Sequence, residues 1–211
     1  MQEFPFNNEP KFNPMKTAEN NIEIACQQVL TDDGSVFSIQ WTVIPQRHAA
    51  TLTPDFLLER YQAYLRRVTL TLVRPLQAGE GLAFRLLSTK VALLTFAAPA
   101  FSYEKGIHAV TLRICEGHFV QAACCNRGKF SFMAESVKGG VKITVQLSEY
   151  YPRLLGSRDP SAPRKWLYSL TQAWVHKIVT VRFLAHLYRE LEGKGACFRV
   201  VKVCVEKGEE I

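Results

Sequence analysis

The sequence has no apolar run long enough to cross a membrane. Its longest nearly apolar stretch, Val91 to Phe101, is far short of the roughly 20 residues that a spanning helix needs. Residues 1–20 hold no apolar run either, so no secretory signal is expected there and a soluble, cytoplasmic protein is. No run of more than two basic residues occurs, and there is no helix-turn-helix, zinc-finger or RNA-recognition signature. Lys and Arg nevertheless outnumber Asp and Glu, 26 to 19, for a formal charge of +7. Spread along the chain, that excess reads as a solvated basic surface, and nucleic acid is not the expected partner. Glycine-rich phosphate loops are missing, and Gly79-Glu80-Gly81 is a plain turn. Internal repeats, low-complexity tracts and cofactor motifs are missing too, so no cofactor and no metal are expected. The six cysteines, with no secretory signal beside them, are expected to be reduced thiols rather than staples.

What is present is a globular composition. The chain has 211 residues, 47% of them apolar, which suffices for a core without disulfides or metals. Residues 1–20, with three prolines, four asparagines and no periodicity, read as an irregular arm. Residues 21–211 read as one α+β domain. Ile22, Ile24 and Cys26 alternate with Glu23, Ala25 and Gln27. Asp32-Asp33-Gly34 is a turn signal. Phe37, Ile39, Trp41 and Val43 then alternate with Ser38, Gln40 and Thr42, which predicts a hairpin whose second strand has those four as its apolar face. Thr53-Pro54-Asp55 is a helix start: Thr53 caps, Pro54 fits the first turn and Asp55 favours the positive end. Leu57, Tyr61, Tyr64 and Leu65 continue at helical spacing to about Arg67.

From Val68 to Glu149 the pattern predicts an antiparallel meander, with strands near 68–74, 82–88, 90–97, 106–115, 118–125, 128–136 and 140–149. A two-residue turn at Lys138-Gly139 sets Val137 opposite Gly140. Phe130, Phe132 and Ala134 then lie opposite Leu147, Val145 and Ile143, all on one face. A three-residue turn at 126–128 would bring Cys124, Ala122 and Val120 onto the same face. A loop over Tyr150 to Pro163 follows, then a long helix from Arg164 to Glu192, stopped by Gly193. Its stripe is Leu167, Leu170, Trp174, Ile178, Val181, Ala185 and Leu191. A last strand is expected within Cys197 to Val205. The resulting architecture is α+β, an antiparallel β-meander curved around a long C-terminal helix. At about 1.5 Å per residue the helix spans about 40 Å, enough to cross such a sheet and to leave a cavity beneath it.

This order resembles the helix-grip fold of the START and Bet v 1-like superfamily, which includes polyketide cyclases. The segment Tyr150-Tyr151-Pro152-Arg153-Leu154-Leu155-Gly156, leading into Trp166 to Glu192, is similar in style to the end of polyketide-cyclase-like proteins. The likeness covers about residues 68–192 and is one of topology and hydrophobic pattern. Two strands precede the first helix here where the family usually has one, and residues 197–205 add a strand beyond its last helix. The resemblance implies a cavity for a small apolar ligand, a lipid or a polyketide-like molecule, and carries over no catalytic residue.

Several residues could serve that cavity. Cys115 and His118 flank Glu116-Gly117, and a two-residue hairpin would set them about 5 Å apart on the apolar face, with Arg113 beside them. A thiol next to an imidazole suits a nucleophile and its base, and so a cyclase- or hydrolase-type enzyme. It equally suits a solvated hairpin tip, since no third orienting group has motif spacing. Cys124 would lie six residues along the strand from His118, roughly 20 Å away, too far for one zinc site. His176 and His186 are ten residues apart on one side of the long helix; either a hydrogen-bonded core histidine or a cavity proton donor fits. Phe130, Phe132, Trp174 and Phe183 are core or lining aromatics. The expected ligand set is therefore Arg113, His118, Phe130, Phe132, Trp174 and His176. A non-catalytic basic interaction protein that binds an acidic partner or nucleic acid is the remaining alternative.

Overall fold

The computed structural model describes residues 21–104, 106–156, 161–193 and 197–211. The arm expected at 1–20 lies outside the described residues. The rest is an α+β fold with one large, mainly antiparallel sheet and a long C-terminal helix. The chain enters through a hairpin, β1 (Asn21–Leu30) and β2 (Val36–Ile44), closed by the Asp32-Asp33-Gly34 turn. The Asp33 carboxylate accepts from the Ser35 N–H at 3.0 Å, which satisfies a donor inside that turn. Helix α1 (Pro54–Val68) starts where the capping signal placed it, with Thr53 Oγ1 accepting from the Phe56 N–H at 3.3 Å.

The meander runs through β3 (Val73–Ala78), β4 (Gly81–Leu86), β5 (Ala92–Phe96), β6 (Ala100–Glu104), β7 (Ile107–Glu116), β8 (Lys129–Val137) and β9 (Gly140–Tyr150). In space the order is β10-β1-β2-β9-β8-β7-β5-β4-β3, where β10 (Cys197–Lys202) runs parallel to β1 and β11 (Glu209–Glu210) also pairs with β1. Strands β5 and β6 both pair with β7 along one side, with the chain broken between them near Pro99, which cannot donate to a ladder. The β8–β9 register is the one the Lys138-Gly139 turn predicts: Phe130 faces Leu147, Phe132 faces Val145 and Ala134 faces Ile143.

The C-terminal helix spans Ala162 to Glu192 but is not uniform. It consists of α2 (Ala162–Tyr168), a π-helical turn (Ser169–Ala173) and α3 (Trp174–Glu192). Gly193 ends it at φ +93°. Helices α1 and α3 pack on the concave side of the sheet and share one core with it. At its centre Tyr61 of α1 meets Phe130 and Phe132 of β8 and Phe183 of α3, with ring centroids 5.0 to 5.3 Å apart.

Three expectations are corrected. First, the inward face of β2 is Val36, Ser38, Gln40, Thr42 and Ile44, not Phe37, Ile39, Trp41 and Val43. Pairing decides this. Ser38, Gln40 and Thr42 lie opposite Leu147, Val145 and Ile143 of β9, whose side chains already point inward. Second, residues 118–125 are not a strand. β7 pairs directly with β8, Leu112 opposite Phe130, and the intervening chain makes a loop with a 3-10 turn at Ala122–Cys124. Third, Leu167, Leu170 and Trp174 are exposed, although they begin the predicted stripe. The π turn takes extra residues, so the buried positions slip by about 100° across it. Buried Tyr168 is followed by buried Ala173, five residues on, and then by Thr180, Leu184 and Leu187.

Candidate ligand cavity

Between the sheet and the helix lies a cavity of about 520 Å³, the size range of small-molecule sites. Its floor is the inner face of five strands. Phe84 of β4, Phe96 of β5, Ile114 of β7, Phe130 of β8 and Leu147 of β9 line it. Each follows from strand alternation, since neighbouring inward residues on paired strands form a continuous apolar surface. The β4–β5 and β5–β7 pairings shift register beside the cavity, between Phe84 and Arg85 and between Thr95 and Phe96. The roof is Tyr168, Gln172, His176 and Val179, spread along α2, the π turn and α3. Tyr61 and Leu65 of α1 close one side.

The far end is closed by the loop at 117–128. Tyr150 Oη donates to the Phe119 carbonyl at 2.9 Å, which fixes Phe119 against the cavity. The loop leaves β7 through Gly117 at φ +143°, where a Cβ would sit 2.3 Å from the Leu93 carbonyl oxygen. Only glycine allows the loop to lie this close to Leu93 and Leu94, which also line the cavity. Gly117→Ala should therefore lower stability by about 1–3 kcal/mol in urea unfolding, and an unchanged midpoint would refute the close-approach argument.

The titratable groups on the lining are held neutral by burial. Burial pushes the phenols of Tyr61, Tyr150 and Tyr168 well up, so all three stay neutral. Burial also pushes the His176 imidazole down to about 4, so it is neutral at pH 7. Among the described lining residues there is no Lys, Arg, Asp or Glu.

Of the residues singled out in the sequence, Phe130 and His176 line this cavity, with ring centroids 6.0 Å apart. Phe132 is fully buried two residues along β8, packed on Tyr61 rather than on the cavity. Trp174 is 58% exposed on the outer side of the helix, because of the π turn. Arg113 and Cys115 fall on the outer face of β7, since its inward residues are Val110, Leu112 and Ile114. The hairpin that would pair Cys115 with His118 is not formed; the His118 N–H donates to the Ala92 carbonyl at 2.9 Å, and its exposed ring lies against Phe119. The extended-strand distance from His118 to Cys124 lapses with that strand. Among the described residues no group of three His, Cys, Asp or Glu is placed to hold a metal ion. All six cysteines are unpaired. His186 lies away from the cavity, stacked on Tyr64 at 5.3 Å beside a smaller pocket.

Sequence reasoning did not single out Tyr61, Phe84, Phe96, Leu147, Tyr168 or Gln172 as cavity residues. Tyr61 and Leu147 carried a signal, being on helical and strand faces that were already assigned inward. Gln172 carried none, because its direction depends on the π turn.

No family model matches the chain, and no curated protein matches it. Among solved structures, the chain is similar to that of CalU16 from Micromonospora echinospora. The identity is 12%, the TM-score 0.31, and the alignment covers 80% of this chain and 84% of that one. At that score the likeness carries no weight about fold detail or function. Among the described residues no helix is long and apolar enough to cross a membrane.

Proposed function

We propose that the protein binds a small hydrophobic molecule, a lipid or a polyketide-like compound, in the cavity between the sheet and the C-terminal helix. One observation carries this reading: a space of about 520 Å³ walled almost wholly by apolar and aromatic side chains. An open cleft of this size with an almost wholly apolar lining is the default binding-site reading. A chain of about a dozen carbons or a few fused rings fits its volume. Polar side chains are few and sit on the helix side, which suits binding by shape with one oriented end.

The test fills the cavity. Leu147 is buried at its floor, opposite Phe130. Leu147→Trp should weaken binding of the uncharged probe N-phenyl-1-naphthylamine about tenfold or more, while the far-ultraviolet circular dichroism stays the same. Equal affinity in a folded variant would overturn the reading. Native mass spectrometry of the purified protein, followed by organic extraction, would identify any molecule it carries.

A further inference from the structure

Two lining residues of the cavity, Gln172 and His176, and two buried residues behind them, Gln28 and Gln40, hold polar atoms that find no hydrogen-bond partner among the described residues. Gln28 of β1 and Gln40 of β2 point to the inner face and are 6% and 0% exposed. Each uses its amide nitrogen. Gln28 Nε2 donates to the Ala173 carbonyl at 3.3 Å, and Gln40 Nε2 donates to Ser38 Oγ at 2.7 Å. A carbonyl can only accept, which fixes the orientation of the Gln28 amide. The Oε1 atoms of Gln28, Gln40 and Gln172, and Nε2 of His176, are buried and unpartnered. An unmade hydrogen bond at such an atom is costly, and native interiors hold few of them.

Strand pairing and the helix set Gln28 and Gln40 behind the helix segment that carries Gln172 and His176. Gln28 lies opposite Ser38 and Gln40 opposite Cys26, so both amides are inward neighbours on the β1–β2 pair. The bond from Gln28 to Ala173 sets Gln28 under the end of the π turn that carries Gln172, with His176 following in the first turn of α3. The cavity reaches this helix segment. Gln172 and His176 line it, and so does Leu147, which lies opposite Ser38, while Gln28 and Gln40 sit behind the lining. Of the two free atoms on the lining, Gln172 Oε1 is an amide oxygen and accepts only. The neighbouring Lys177 does not line the cavity; its charge acts on the Cys26 thiol and on Glu210.

We infer that the cavity takes an uncharged amphiphile whose hydroxyl end donates to the free acceptors of Gln172 and His176, with its apolar body over Phe84 and Phe96. This rests on the cavity reading above. A carboxylate would set acceptors against acceptors and lose its hydration with no cation on the lining. An ether of equal length would fill the space but leave those acceptors unmet.

Displacement of bound N-phenyl-1-naphthylamine at pH 7.5 separates these cases. 1-Dodecanol should displace the probe at a concentration at least about tenfold lower than methyl dodecyl ether or dodecanoate. In the double variant Gln172→Leu, His176→Phe the probe should still bind, and the advantage of the alcohol should shrink to less than about twofold. The single variant Gln172→Leu, on a half-buried residue, serves if the pair does not fold, and should at least halve that advantage. Dodecanoate or the ether displacing as well as the alcohol would overturn the inference and leave the cavity reading standing. So would an alcohol advantage that survives the substitutions. A native protein that does not bind the probe at all would overturn the cavity reading, and this inference with it.

Discussion

Replacing Phe183 by alanine is expected to cost about 3–5 kcal/mol of folding stability. Phe183 is 1% exposed and sits where α1, α3 and the sheet meet. Its ring packs edge-on against Tyr61 at 5.2 Å and Phe132 at 6.3 Å, and tilted against Tyr64 at 5.7 Å. Truncation removes the transfer free energy of a whole aromatic ring. It also leaves a hole that two helices and a strand cannot collapse to fill, and the second effect puts the cost at the upper end for a core substitution. The measurement is the midpoint of urea unfolding, with Phe101→Ala as the control. Phe101 lies on β6 and is 42% exposed, so its loss should fall within about 0.5 kcal/mol. A loss at Phe183 below about 1 kcal/mol would mean that α3 is not anchored there, and the roof of the cavity would lose its support.

The second large effect is a loss of stability in mild acid that depends on His176. Its imidazole is pushed down to about 4 by burial, against roughly 6.5 in an unfolded chain. The unfolded state therefore binds the proton more readily, and protonation favours unfolding. The contribution of a neutral His176 is fully present above about pH 6.5 and is lost as the pH falls toward 4. At pH 4 the loss is on the order of 3 kcal/mol. Other groups titrate in the same range, so the informative quantity is the difference between the native protein and His176→Phe. That difference should change steadily in favour of the variant between pH 6.5 and 4. Parallel pH profiles would show that His176 gains a charge without cost, and hence that water already reaches its ring.

Much of the scaffold was legible in the sequence because it rests on local rules. Thr53-Pro54-Asp55 opens α1, since a capping hydroxyl and a proline suit the first turn whatever lies around them. The Lys138-Gly139 turn sets the β8–β9 register, because a two-residue turn leaves one pairing. The span of the C-terminal helix and its stop at Gly193 follow from its pattern and its cap. Phe130 and His176, two of the cavity residues, were reachable on those grounds.

The tertiary structure decided the rest. Whether Gln40 or Ile39 points inward could not be read from β2 alone, because both alternations are present and pairing with β9, about 100 residues later, selects one. The same selection buries Gln28 and Gln40, which local hydropathy would place in water. Glu116-Gly117 looks like a hairpin turn, yet β7 has a better partner in β8, so residues 117–128 become the wall of a cavity instead of a strand. One π turn rotates half of the helix, sends Trp174 to solvent and aims Gln172 and His176 at the sheet. Periodicity and turn chemistry act over a few residues and fix what each element is. Which face of an element is buried is settled by the distant strands and helices that cover it, and the cavity exists only between those faces.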